Sequence, residues 1–526
     1  MSLSNIPQYQ YTALDQGLHI RLLRVKSGHG SDDIRVDIFD DNLGQHPIYE
    51  ALSYTWGPPN PRCLISCGED GTLSVTRNCE TALRRLRHGT EDRTLWIDAI
   101  CIDQTNALER GQQVQLMSQI YHQAHRVLAY FGEASDGSDV GMDFIQRDSE
   151  PLTPKGRPSV GLGPDVKSSP QQLAIDAILD RPYFKRIWIL QEIVFAKTIL
   201  IILGNRTVDW EDFSRTVFYV DINKKMYLGD KYDKSPPSVV FYRDKSRSLA
   251  SGKTVSDMPK SLLEFLRDTR HCQSTDARDK SYALLGMSME KDEPALVPNY
   301  FFTIQQTFTH LAKFLISRDK TLDVLCHVQG PPYVQKLPSW VPDWSCHPRT
   351  EIIGHKKDSV KPYKASLGRP ANVVFHQASE VLNLEGKVYD TVSRVGPIYN
   401  TGSDSSATTL KQWENMISMS ESKLALDAAA VLRDHERSEA AIFQGQVTKA
   451  SNGRALFLTD KGYVGLGPAE VEKGDRIAVL LGGSVPFVLR QRQSHFTLVG
   501  ESYVRGLMHG EAIQGETVAF QTIQIE

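Results

Sequence analysis

The sequence predicts an α/β domain on a mainly parallel sheet, then a helical middle region, then a β-rich C-terminal domain. Three observations carry this. Over residues 46–215, short apolar runs ending in polar or glycine residues alternate with helical spacings, the pattern of a parallel sheet with helical crossovers. Residues 261–320 read as helices without intervening strands. From about residue 375 the texture becomes short strands separated by Gly-Asp and Gly-Gly turns.

Residues 1–45 read as an N-terminal β-hairpin extension. Its strands are 18–25 and 34–39, joined by Ser27-Gly28-His29-Gly30. A strand at 49–54 opens the α/β domain, and Gly57-Pro58-Pro59 then breaks the chain. A hairpin follows at 64–67 and 72–75, then a helix at 78–87 and a strand at 95–98. Asn106, with Glu109 three residues on, has capping-box spacing for a helix to residue 124. The next strand is 127–131. Residues 132–170, rich in Gly, Ser, Asp and Pro, read as a flexible insertion. Helices follow at 172–179 and 183–196, a strand at 198–203, and a helix starting at 210. Residues 216–350 form the mostly helical region, with a polar loop expected over 220–260. Leu337-Pro338-Ser339-Trp340-Val341-Pro342-Asp343-Trp344 is neither helix nor central strand, because two prolines remove donors and fix φ. In the 375–526 domain, strands are expected at 381–384, 454–458, 463–466, 476–481, 487–490 and 496–501, with one helix near 408–434.

At 526 residues the chain exceeds one ordinary core. A net charge of −3 gives no bulk attraction to nucleic acid or membrane, so no nucleic-acid partner is expected. No run approaches the roughly 20 apolar residues of a membrane span, and residues 1–10 lack a signal-peptide core. A cytoplasmic protein is the expectation. Seven dispersed cysteines argue against a disulfide framework. Cys63 and Cys67 with Cys326-His327 and Cys346-His347 offer a metal set only on paper, and buried reduced thiols are the plainer reading. No dinucleotide-binding, P-loop or zinc-protease word is present.

The candidate site lies where strand ends meet a helix, as in open α/β sheets. Trp188 and Glu192 stand i, i+4 on the predicted helix. Ser53 and Tyr54 end one strand, and Trp56-Gly57 turns the chain past them. Asp98 and Asp103 follow the second strand, able to reach ribose hydroxyls or to cap the next helix. Ser53 or Tyr54, Asp98, Trp188 and Glu192 are expected to converge on one cavity. The residues alone leave a second reading open, in which Trp188 packs under the sheet and Glu192 pairs with Lys185 or Arg186.

The words ALSYTWG (51–57), LWIDAICIDQ (95–104), VLAYFG (127–132) and RIWILQE (186–192) occur in fixed order. With Glu109-Arg110, RDKSYALLG (278–286), LPSWVPDWS (337–345) and the Gly-rich tail words, the chain resembles the fungal heterokaryon-incompatibility (HET) domain family. That resemblance implies a role in nonself recognition and programmed cell death, with a protein partner and self-assembly. It also implies a distant likeness to TIR domains, hence a TIR-like (flavodoxin-like) sheet. By that likeness Glu192 is the catalytic residue. Trp188, Asp98, Asp103, Ser53, Tyr54 and Trp56 would bind substrate, with NAD as the substrate and no metal or cofactor. The chemistry is self-consistent. Nicotinamide leaves as a neutral base, and one carboxylate can stabilise the oxocarbenium-like transition state. Two alternatives stand beside it: a non-catalytic scaffold acting by assembly, and a regulatory protein of a metabolic gene cluster.

Overall fold

The computed structural model describes residues 6–69, 71–148, 169–228, 237, 239–243, 260–354, 363–376, 380–401, 406–419, 451–514 and 519–526. They fall into two compact units, Met1–Phe301 and Phe302–Glu526. That boundary lies inside the stretch 216–350 expected as one helical region.

The first unit contains β1 (His19–Val25), β2 (Arg35–Asn42), β3 (Glu50–Tyr54), β4 (Arg62–Cys67), β5 (Gly71–Thr76), α1 (Arg77–Leu86) and β6 (Arg93–Trp96). Next come α2 (Asp98–Cys101), α3 (Ala107–Gln123), β7 (Val127–Gly132), α4 (Ser138–Asp148), α5 (Pro170–Leu179) and α6 (Ile189–Val194). It ends with β8 (Ile199–Leu203), β9 (Arg206–Asp209), α7 (Trp210–Leu228), α8 (Leu262–Asp268) and α9 (Asp279–Leu285). The sheet order is β5-β4-β2-β1-β6-β3-β7-β8-β9. Strands β6, β3, β7 and β8 are parallel neighbours, and a helix precedes each of β6, β7 and β8, as their alternation predicts.

The sheet as a whole is mixed, which corrects the expectation of a mainly parallel one. Pairs β1–β2, β1–β6, β4–β5 and β8–β9 are antiparallel. The reason lies in the N-terminal hairpin, which is not an appendage. β1 docks on β6, with Leu23 opposite Leu95, and buries Ile20, Leu22, Leu23 and Val25. Burying four apolar side chains is worth several kcal/mol, about 1.5–3 each, more than an exposed hairpin retains. Arg21 of β1 is also buried, and its Nη1 meets Glu109 Oε1 at 2.5 Å. Glu109 therefore does not close a capping box. Asn106 caps α3 alone, accepting from Leu108 N and Glu109 N, while Glu109 turns inward.

Two helical expectations change. Part of 132–170 is ordered as α4, with Met142 and Ile145 buried; residues 149–168 lie outside the described set. The predicted helix 183–196 is broken. A 3-10 turn at Pro182–Lys185 ends at an extended Arg186, and α6 starts only at Ile189. Backbone pairing pulls the chain straight there: Gln273 N donates to Lys185 O, and Ile187 N donates to Gln273 O at 2.9 Å. α7 runs on to Leu228, into the stretch expected as a loop. Residues 229–236, 238 and 244–259 of that stretch lie outside the described set.

The second unit contains α10 (Ile304–Asp319), β10 (Val373–Phe375), β11 (Leu382–Tyr399), α11 (Ser406–Ser418), β12 (Arg454–Thr459) and β13 (Val464–Pro468). β14 (Arg476–Leu480), β15 (Phe487–Arg492), β16 (His495–Glu501), β17 (Tyr503–Val504) and β18 (Gln521–Ile525) complete it. Strands β11, β18, β16, β15 and β14 pair in a closed ring, which removes exposed edges. The far half of β11 leaves the ring to pair with β12, which continues to β13 and β17. Phe457, Ile477, Val479, Val488 and Ile513 fill the core. The expected helix near 408–434 is α11 as far as Ser418; residues 420–450 lie outside the described set. The double-proline segment is neither helix nor strand, and Trp340 and Trp344 are buried.

All seven cysteines are free thiols. Among the described residues, no helix is long and apolar enough to cross a membrane. Nor do three or more His, Cys, Asp or Glu side chains gather there as a metal site.

Candidate functional site

At the carboxyl end of β3 the chain alternates faces, so Ser53 and Tyr54 point opposite ways. Ser53 Oγ donates to Glu192 Oε2 at 2.5 Å and lies 2.6 Å from the Tyr183 hydroxyl. Glu192, on α6, is 1% exposed. Its carboxylate also meets Arg186, at 3.3 Å from Nη2 to Oε1 and 3.5 Å from Nη1 to Oε2. The break before α6 makes this possible, because an extended Arg186 can turn its guanidinium back on the helix that follows.

Asp98 supplies the second carboxylate near Arg186. It opens α2 directly after β6. Trp56 Nε1 donates to both of its oxygens at 3.0 Å. Trp56 is 37% exposed and forms the solvent side of this group. Gly57, at φ +75°, is required beside it: a Cβ there would lie 2.6 Å from Asn78 Nδ2. Burial lifts the Glu192 carboxyl above its ordinary pKa. Arg186 pulls it down, Asp98 pushes it further up, and the Ser53 hydrogen bond opposes the rise. Burial likewise lifts Asp98, with Arg186 and the Trp56 N–H opposing. Two bonded groups result: Trp56 with Asp98 towards the surface, and Arg186, Glu192, Ser53 and Tyr183 towards the core, with Asp98 and Arg186 acting on each other electrostatically.

The other expected site residues go elsewhere. Trp188 Nε1 donates to Asp279 Oδ2 at 3.0 Å, and Tyr300 OH donates to Asp279 Oδ1 at 2.7 Å. Trp188 and Glu192 keep the i, i+4 backbone bond, but their side chains serve different clusters. Tyr54 is buried on the opposite face of β3, with the buried Cys79 thiol as the neighbour that most affects its hydroxyl. Asp103 accepts from the backbone N and hydroxyl of Thr105 and so shapes the turn before α3.

Sequence reasoning gave Arg186 only as a candidate partner for Glu192, and passed over Tyr183, Asp279 and Tyr300. Asp279 lies in the word RDKSYALLG, quoted for the family resemblance without a chemical role. In this conformation Glu192 is covered by Arg186 and Ser53 and is 1% exposed.

A mixed sheet with a parallel centre, carrying a buried carboxylate–arginine group, precedes a closed β-barrel in one chain. The chain matches the family "Heterokaryon incompatibility protein (HET)" over residues 49–192 and the "Het-6 beta-barrel domain" over residues 382–519, so it carries both domains in that order. It is similar to "Heterokaryon incompatibility protein 6, OR allele" of Neurospora crassa, 24% identical over 97% of this chain and 97% of that protein. No solved structure gives a significant match.

Proposed function

We propose that the protein is a nonself-recognition effector of fungal heterokaryon incompatibility that promotes programmed cell death through protein contacts and assembly, without catalysis of its own. The two family matches, in order along the chain, and the near full-length similarity to a heterokaryon incompatibility protein support the first part. One observation carries the second: Glu192 is 1% exposed and tied to both Ser53 and Arg186. A carboxylate that must stabilise a transition-state cation has to touch it, whereas one held by Ser53 and Arg186 within the protein serves the fold. The experiment is an incompatibility assay in the fungus with Glu192→Gln, in a variant whose melting transition matches wild type. Full cell death supports this reading, and loss of cell death in the folded variant refutes it.

A second reading is NAD glycohydrolysis at a TIR-like site. Its support is the order of the four parallel strands, second–first–third–fourth along the chain, as in flavodoxin-like sheets. The carboxylate group at their carboxyl ends adds to it. In that reading Trp56 would have to move to open Asp98 and Glu192 to substrate. Trp56→Ala then releases nicotinamide from NAD, and silence of this variant counts against the reading.

A further inference from the structure

Beside α6, lined by Gln191 but not by Glu192, the first unit holds a cavity of about 600 Å³. Small-molecule sites commonly span about 300–1,000 Å³. One wall is a stripe of α3 that includes Val114, Ser118 and His122, successive positions on one helix face. The opposite wall is the end of α9 with the segment after it, including Leu285, Leu296 and Pro298. Gln191 and Phe195 line it from α6 and its end.

Gln191 singles this cavity out. It is 2% exposed. Its Nε2 donates to Ala283 O at 2.9 Å, which fixes the amide. Its Oε1 is buried and has no hydrogen-bond partner. A buried acceptor left unsatisfied costs about 1–3 kcal/mol, and most such groups find a partner. Gly286, also lining the cavity, stands against this amide. A Cβ there would lie 3.3–3.4 Å from Nε2, Cδ and Oε1. A side chain at Gly286 would therefore press on that amide.

We propose that this cavity binds a small amphipathic molecule, an apolar body carrying one N–H or O–H donor, which satisfies Gln191 Oε1. Val114, Leu285, Leu296 and Pro298 would hold its apolar body, and the exposed Lys291, Asp292 and Glu293 would form the mouth. Gln191 directly precedes Glu192 on α6, so an occupant would touch the helix that carries the sealed carboxylate. The site is separate from that carboxylate, and its occupancy does not depend on whether Glu192 is catalytic.

The test uses the full chain, with indole and 1-methylindole as probes in isothermal titration calorimetry. The two differ little in shape, but only indole has a donor. Saturable binding of indole is expected, with 1-methylindole roughly tenfold weaker for want of one buried hydrogen bond. Ser118→Trp, at a half-buried helix position that can accept a larger side chain, should abolish binding of both while keeping the wild-type melting transition. No saturable heat with indole, equal affinity for the two probes, or undiminished binding by folded Ser118→Trp would each overturn the proposal.

Discussion

Trp188 and Asp279, 91 residues apart in sequence, are joined by a 3.0 Å hydrogen bond from indole N–H to carboxylate. The bond takes the tryptophan away from Glu192, the residue its spacing had paired it with. It also leaves Asp279 half-buried between two neutral donors, Trp188 and Tyr300, with Arg110 stacked on the Tyr300 ring at 3.7 Å.

That environment makes stability depend on pH. Burial pushes the Asp279 carboxyl up from 3.8 to about 6, against the hydrogen bonds from Tyr300 and Trp188. The folded state then binds this proton more tightly than the unfolded chain. Its stabilising contribution is complete below about pH 4 and is lost as pH rises through about 6. Over that window the loss is on the order of 3 kcal/mol. Urea denaturation of wild type and Asp279→Asn at pH 4, 5, 6 and 7 should show the wild type losing stability relative to the variant as pH rises. Parallel curves would mean that Asp279 does not titrate in this window.

Removing Glu192 should damage the fold as well as any activity. Glu192→Ala leaves the partly buried Arg186 with Asp98 as the remaining carboxylate that acts on it, and the cost should stay at or below the about 3–5 kcal/mol typical of breaking a fully buried pair. Glu192→Gln keeps a hydrogen-bond partner for Ser53 and should cost less. The urea midpoints of the two variants check the order. If Glu192→Ala were as stable as wild type, the carboxylate would not be part of the core.

In the barrel, Arg454 and Glu501 form a second buried pair, 2.8 Å apart with side chains 2% and 3% exposed. Glu501 also accepts from Ile353 N and Gly354 N, which ties an irregular segment to β16. Arg454→Ala should cost about 3–5 kcal/mol. Arg349→Ala, which breaks the exposed pair with Glu470, should cost no more than about 1 kcal/mol. Thermal unfolding of the two variants side by side checks the contrast.

What was legible in the sequence follows from range. Strands β7 and β8 are nearly continuous apolar runs, so composition alone marks them as central. The break before α6 was hidden, because it comes from pairing with Gln273, 87 residues beyond Arg186. The length of β11 was hidden for a similar reason. Gly386 reads as a breaker, yet a Cβ there would lie 2.8 Å from Leu480 Cδ2 and Val479 O, so the glycine permits a close strand crossing. At the candidate site, motif ends brought Ser53, Asp98 and Glu192 to one end of the sheet. Spacing could not tell that Arg186 rather than Lys185 would pair with Glu192, or that Asp279 would claim Trp188.

Nicotinamide release from NAD by the purified full-length chain tests the central claim most directly, since the non-catalytic reading rests on the sealed Glu192. With Glu192 held by Ser53 and Arg186, release should equal that of Glu192→Gln and of a no-protein control at every protein concentration. Release that rises with wild-type protein and disappears in a folded Glu192→Gln variant would contradict the account and make Glu192 a catalytic residue.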